Sequence, residues 1–141
     1  MKTQIRLLVT SVVFGCTALF PKAYAVSPPP DGGYPGGNTA EGQSALFSLT
    51  TGIYNTAVGL LSLRSVTTGS YNTGVGTGAL LANTADENTA TGTGALLSNT
   101  TGSDNTAHGA FALVSNTQGL SNTAIGDRAL QSNIEGTNNR R

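Results

Sequence analysis

The chain has 141 residues, its seven basic and seven acidic side chains cancel, and only 10% of its residues are charged. That balance excludes the electrostatic footprint needed for nucleic acid or an anionic membrane. With no Trp, four Phe, four Tyr and 19 Gly, a conventional core of bulky apolar side chains is excluded too, which leaves disorder or a fold that keeps small residues in register.

Residues 1–25 read as a secretory signal peptide. Lys2 and Arg6 make a positive start, "IRLLVTSVVFGCTALF" from Ile5 to Phe20 is mostly apolar, and "AYA" from Ala23 to Ala25 is an A-x-A cleavage signal. The apolar run is too short to span a bilayer. Cys16, the only cysteine, falls inside the signal, so a chain cleaved after Ala25 has no disulfide to stabilise it. Residues 26–35, "VSPPPDGGYP", form a Pro/Gly-rich linker.

From residue 36 the chain repeats itself with a period of 17 residues. The coils read "PGGNTAEGQSALFSLTT", "GIYNTAVGLLSLRSVTT", "GSYNTGVGTGALLANTA", "DENTATGTGALLSNTT", "GSDNTAHGAFALVSNTQ" and "GLSNTAIGDRALQSNIE", the fourth being one residue short. "GTNNRR" opens a seventh coil, so the repeat domain over 36–141 is expected to be truncated mid-repeat.

Several slots hardly vary. The marker asparagines are Asn38, Asn55, Asn72, Asn88, Asn105, Asn122 and Asn139. Two residues on come Ala40, Ala57, Gly74, Ala90, Ala107 and Ala124, all small. A glycine slot holds Gly42, Gly59, Gly76, Gly92, Gly109 and Gly126, and a leucine slot holds Leu46, Leu63, Leu80, Leu96, Leu113 and Leu130. Between the small slot and the glycine, by contrast, stand Glu41, Val58, Val75, Thr91, His108 and Ile125.

"NTAVG" and "ALLSN" are each of strand length, and Gly and Asn-Thr-Thr-Gly between them suit turns, because Gly and Asn tolerate positive φ. The expected fold is therefore all-β: a parallel β-roll or β-solenoid of about six coils, with two short strands per coil. Alternation along a strand puts Asn55, Ala57 and Gly59 on one face and Thr56 and Val58 on the other. The invariant leucine fills the interior, and identical residues stack about 4.8 Å apart, so that asparagine ladders can pair their amides. A helix would not carry this many Gly, Asn and Thr, and the strict register opposes disorder. A coil this small is expected to need stacked or side-by-side neighbours.

"SNTAIGDRAL", Ser121 to Leu130, and "YNTAVG", Tyr54 to Gly59, resemble the N-[ST]-x-A-[IV]-G-x-x-A head repeats of YadA-like trimeric autotransporter adhesins. "GSYNTGVGTGALLANT" is similar to repeat arrays of bacterial surface and tail-fibre-like proteins. The resemblance runs from about Gly36 to Asn139. It implies a left-handed roll, a homotrimer, a place on the outer surface of a Gram-negative-type bacterium, and attachment to extracellular matrix or another surface. The family's C-terminal membrane barrel and heptad stalk have no counterpart here, so membrane contact is expected only through a missing anchor.

Catalysis is not expected. His108 is the only histidine, and a zinc site needs three or four ligands. Asp104 beside it occupies the slot of Tyr54, Tyr71, Glu87 and Ser121, so the pair reads as two repeat positions rather than part of a triad. "GTGAL" at Gly76 and Gly92 lacks the lysine of a phosphate loop. No metal or other cofactor is expected, and no nucleic acid. The positions with a stated role are structural: Asn55, Ala57, Gly59, Leu63, Asn72, Gly76, Leu80, Asn88, Gly92, Leu96, Asn105, Gly109, Leu113, Asn122, Gly126 and Leu130. The expected function is an adhesin-like head or stalk module. The alternatives are a fibre spacer without its own ligand and an ice-binding solenoid built on the threonine column Thr39 to Thr123.

Overall fold

The computed structural model describes residues 34–141; the expected signal peptide and most of the linker lie outside the described residues. The chain winds as a parallel β-solenoid. Six three-residue strands, β1 (Thr39–Glu41), β2 (Thr56–Val58), β3 (Thr73–Val75), β4 (Thr89–Thr91), β5 (Thr106–His108) and β6 (Thr123–Ile125), form one sheet in chain order. All neighbours are parallel, and each threonine faces the next: Thr39 to Thr56, Thr56 to Thr73, Thr73 to Thr89, Thr89 to Thr106 and Thr106 to Thr123. No helix occurs among the described residues.

The strand forms where the sequence alternates. Around β2, Asn55, just before the strand, and Ala57 are fully buried, while Val58 is exposed. The second wall differs from expectation. "ALLSN" is not a strand but a pair of tight turns. Ser62 N–H donates to the Gly59 carbonyl (3.2 Å) and Val66 N–H to the Leu63 carbonyl (3.3 Å). The cause is the leucine slot, whose members all have left-handed backbone: φ is 50° at Leu63, 54° at Leu80 and 51° at Leu96. A left-handed residue cannot continue a pleat, and for a non-glycine residue it costs about 1–2 kcal/mol. Burial offsets that cost, since Leu63, Leu80, Leu96 and Leu113 are fully enclosed, each worth about 1.5–3 kcal/mol. The turn wall still stacks coil on coil, as in Leu46 N–H to Ser62 O (3.1 Å) and Leu63 N–H to Ala79 O (3.0 Å).

The two walls face each other across a narrow interior. Ser62 Oγ donates to Gly74 O at 2.9 Å, and Asn83 Nδ2 donates to Asn72 Oδ1 at 3.2 Å, both from the turn wall to the strand wall. Between the walls lie the leucines and a column of alanines, Ala57, Ala90, Ala107 and Ala124, all fully buried.

Two boundaries change. Tyr34, in the expected linker, bridges Asn38 and packs against the core. Ala85, expected to end the third coil, opens the fourth: its carbonyl accepts the Asn72 amide (2.8 Å), as the carbonyls of Gly69 and Gly102 accept those of Asn55 and Asn88. The short coil is thus the third, residues 69–84, and the residue it lacks belongs to the exposed corner slot held elsewhere by Thr51, Thr68, Thr101 and Gln118. A deletion there shortens the outer path without breaking a ladder, which keeps the 16-residue step from Thr73 to Thr89 in register.

Candidate functional site: buried amide ladders and a variable outer face

The interior holds buried amides among its apolar side chains. Asn55, Asn72, Asn88, Asn105 and Asn122 are fully buried, yet each polar atom is used. Asn105 Oδ1 accepts both the main-chain N–H (3.0 Å) and the side-chain amide (3.1 Å) of Asn122 one coil on. Asn105 Nδ2 donates to Asn88 Oδ1 (3.1 Å) and to the Gly119 carbonyl (2.8 Å). One side chain therefore ties together three coils. A buried amide costs free energy only if left unpaired, and the repeat guarantees its partner.

A second amide ladder runs beside the first. Asn83, Asn99 and Asn116 are fully buried. Asn99 Nδ2 donates to Asn83 Oδ1 (2.7 Å), Asn116 Nδ2 to Asn99 Oδ1 (2.8 Å) and Asn133 Nδ2 to Asn116 Oδ1 (2.8 Å). These asparagines were expected in turns, with positive φ. Instead the positive φ falls on the residues just before the marker asparagine, such as Tyr54 (56°), Glu87 (59°) and Asp104 (59°). A signal for the burial exists in the sequence: the same slot holds Leu49 and Val66 in the first two coils, and apolar side chains alternate with amides there only because the slot points inward.

The glycine slot is set by contact between backbones. A Cβ on Gly59 would stand 2.7 Å from the Gly76 carbonyl carbon, on Gly76 2.6 Å from Gly92 O, and on Gly92 2.6 Å from the Gly109 carbonyl. These glycines also have φ between 121° and 136° from Gly126 to Gly109, which L side chains avoid.

Asn55, Ala57, Leu63, Asn72, Leu80, Asn88, Leu96, Asn105, Leu113 and Asn122 are buried in this interior, Leu130 is partly buried, Gly59, Gly76, Gly92 and Gly109 are half-buried, and Gly126 is open to solvent. The column Val58, Val75, His108 and Ile125 lies outside and exposed, flanked by the threonines. His108 shares no cluster with Asp104, and among the described residues no group of three or more His, Cys, Asp or Glu side chains could hold a metal ion. We expect His108→Val to leave the fold intact, with a stability change within about 0.5 kcal/mol, read from urea melts; loss of the far-ultraviolet spectrum would contradict an exposed His108.

Among the described residues, the ionisable group whose titration is displaced is Glu87. Its carboxyl is raised above the ordinary 4.5 chiefly by a hydrogen bond to Asp104 in the next coil, then by the charges of Asp104 and Asp86. The folded chain therefore holds a proton that the unfolded chain releases, so this contribution to stability is present below about pH 4.5 and is lost as pH rises through the raised value. Glu87→Gln should raise the midpoint temperature at neutral pH and flatten its dependence over that window.

A cavity of about 670 Å³ opens over the first coil between Tyr34, Leu46, Phe47, Leu49 and Ile53. Among the described residues its polar lining is the hydroxyls of Tyr34, Ser44, Thr50 and Thr51 and the amide of Gln43. Compared with known proteins, the chain matches no family model, no curated protein and no solved structure.

Proposed function

We propose that this chain is a non-enzymatic, exported head or stalk module of a surface fibre, which presents its strand face for attachment. The observation that supports the reading is a division of labour within each coil. Inward slots repeat almost without change, while the outward column Glu41, Val58, Val75, Thr91, His108 and Ile125 changes chemistry from coil to coil. A scaffold held by internal ladders leaves its outer face free to carry a binding pattern. Within this reading the roll is YadA-like and left-handed, residues 1–25 direct export across the inner membrane, and the working form on the cell surface is a homotrimer.

The test is adhesion of beads carrying the purified chain to extracellular-matrix proteins and to cultured cells. Retention that falls when Val58, Val75 and Ile125 are all changed to Thr supports attachment through this face. No retention on any surface would overturn it. A spacer is the second reading, favoured by the interior itself: ladders of this kind set length and stiffness with no need of a ligand. Ice binding has less support, because only β4 places two threonines, Thr89 and Thr91, outward on one strand.

A further inference from the structure

The first coil leaves an apolar end on the stack. Leu49 is only half-buried there, whereas Val66, Asn83 and Asn99 in the same slot are fully buried. Each of those later residues has a coil on its N-terminal side. Over this end lies the cavity of about 670 Å³, walled by Leu46, Phe47, Leu49 and Ile53 and rimmed by Tyr34, Pro35 and Gly36. Phe47 beside it is 70% exposed. The Tyr34 hydroxyl is buried and, among the described residues, has no hydrogen-bond partner. Buried hydroxyls in folded proteins are rarely left without one.

The chain enters the described fold at the rim of this cavity. The 17-residue register persists back to Gly36, whose carbonyl accepts the Tyr54 N–H (2.8 Å) as the Ile53 carbonyl accepts that of Tyr71 (3.0 Å). Seventeen residues before Ala45, Leu46 and Phe47 stand Pro28, Pro29 and Pro30. Those prolines cannot form one more coil of the same kind. The leucine slot needs a left-handed backbone, with φ of 49° at Leu46, and the proline ring fixes φ near about −65°. Nor has proline an N–H to donate along the ladder, as Leu46 donates to the Ser62 carbonyl (3.1 Å).

We propose that the proline run at residues 28–30 folds back over the first coil and fills this cavity as a short polyproline segment, with the Tyr34 hydroxyl donating to one of its carbonyls. Three features select this occupant. Polyproline is preformed, leaves all its carbonyls free to accept, and docks in aromatic-lined grooves. Pro30 lies four residues from Tyr34, a reach of about 14 Å at most, and Asp31-Gly32-Gly33 between them is turn chemistry. A tether this short holds the segment at an effective concentration on the order of millimolar, so a weak contact suffices. The segment thereby caps the array: it covers the apolar end and offers no row of N–H groups on which a further chain could pair. The inference is independent of attachment and of the oligomeric state.

The test uses the full chain carrying Cys16→Ser, read by amide hydrogen exchange and nuclear magnetic resonance. Pro28→Ser, Pro29→Ser and Pro30→Ser together should speed exchange at the ladder-bonded Thr39 and Leu46 amides at least about tenfold and leave Thr106 and Leu113 unchanged, since a repeat array opens locally from an uncovered end. Tyr34→Phe should also speed exchange at Thr39 and Leu46, yet add nothing in the triple variant. Nuclear Overhauser contacts should join the proline rings to the Leu46 and Leu49 methyls, and mixing labelled with unlabelled protein should show that they arise within one chain. Exchange indifferent to the prolines, a Tyr34→Phe change that is neutral or simply additive, or contacts to those methyls from residues 5–20 or from a second chain would each overturn the proposal.

Discussion

Changing Asn105 to Val should be among the most damaging single substitutions in this chain, costing about 3 kcal/mol or more. Val removes the acceptor that holds the main-chain N–H and side-chain amide of Asn122 and the donor that satisfies Asn88 Oδ1 and Gly119 O. Each buried polar group left without a partner costs about 1–3 kcal/mol. No water can enter to replace it, since Asn105 is fully buried. The matched control is Asn99→Val. That side chain joins Asn83, Asn116 and the Gly102 carbonyl but holds no main-chain N–H, and Val66 occupies the equivalent slot natively. Urea denaturation of the two variants should therefore differ by at least about 1 kcal/mol, with Asn105→Val the weaker. Equal losses would mean that the main-chain bond adds nothing.

The glycine column yields the second large effect. Gly92→Ala should cost about 3 kcal/mol or more, because the new methyl would meet the Gly109 carbonyl at 2.6 Å and φ is 128°; the conformation alone costs about 1–3 kcal/mol and the overlap adds the strain of an overpacked core. Gly126→Ala shares the conformation, with φ at 121°, but nothing lies within 4 Å of its added Cβ. It should show the conformational cost alone. Thermal melts of the pair separate strain from overlap, and equal shifts in midpoint would rule out close coil-to-coil approach as the reason for the column.

Much of this was legible in the sequence. The spacing of Asn55, Asn72 and Asn105 defined the stack, and the restriction to Ala57 and Gly59 identified the inner face. The second wall was not legible, because backbone propensity and burial conflict there. At Leu63 propensity argues for an extended residue or for glycine, while the narrow interior demands a large apolar side chain; burial wins, and the leucine accepts a left-handed backbone. The second amide ladder was hidden for a related reason. Asn-Thr-Thr-Gly is turn chemistry by composition, and nothing local to Asn99 distinguishes an asparagine that turns the chain from one that faces an identical copy of itself. Only comparison with Leu49 and Val66 in the same slot reveals it. At the outer column the variation itself marks exposure, because an inward slot could not admit Glu41, Val58 and His108 in turn.

The direction of the coil-to-coil bonds also has a mechanical consequence. The ladder bonds, from Thr39 N–H to Asn55 O through Thr123 N–H to Asn139 O, run along the axis of the stack, so tension between the two ends acts on every coil interface in series, and a terminal coil, held by a neighbour on one side only, yields first. Each coil that peels away would release 17 residues, roughly 55 Å of extended chain, while the remaining coils stay closed. A stack so built yields in equal steps under pull, lengthening many times over before it fails, and it can rewind from any coil that survives.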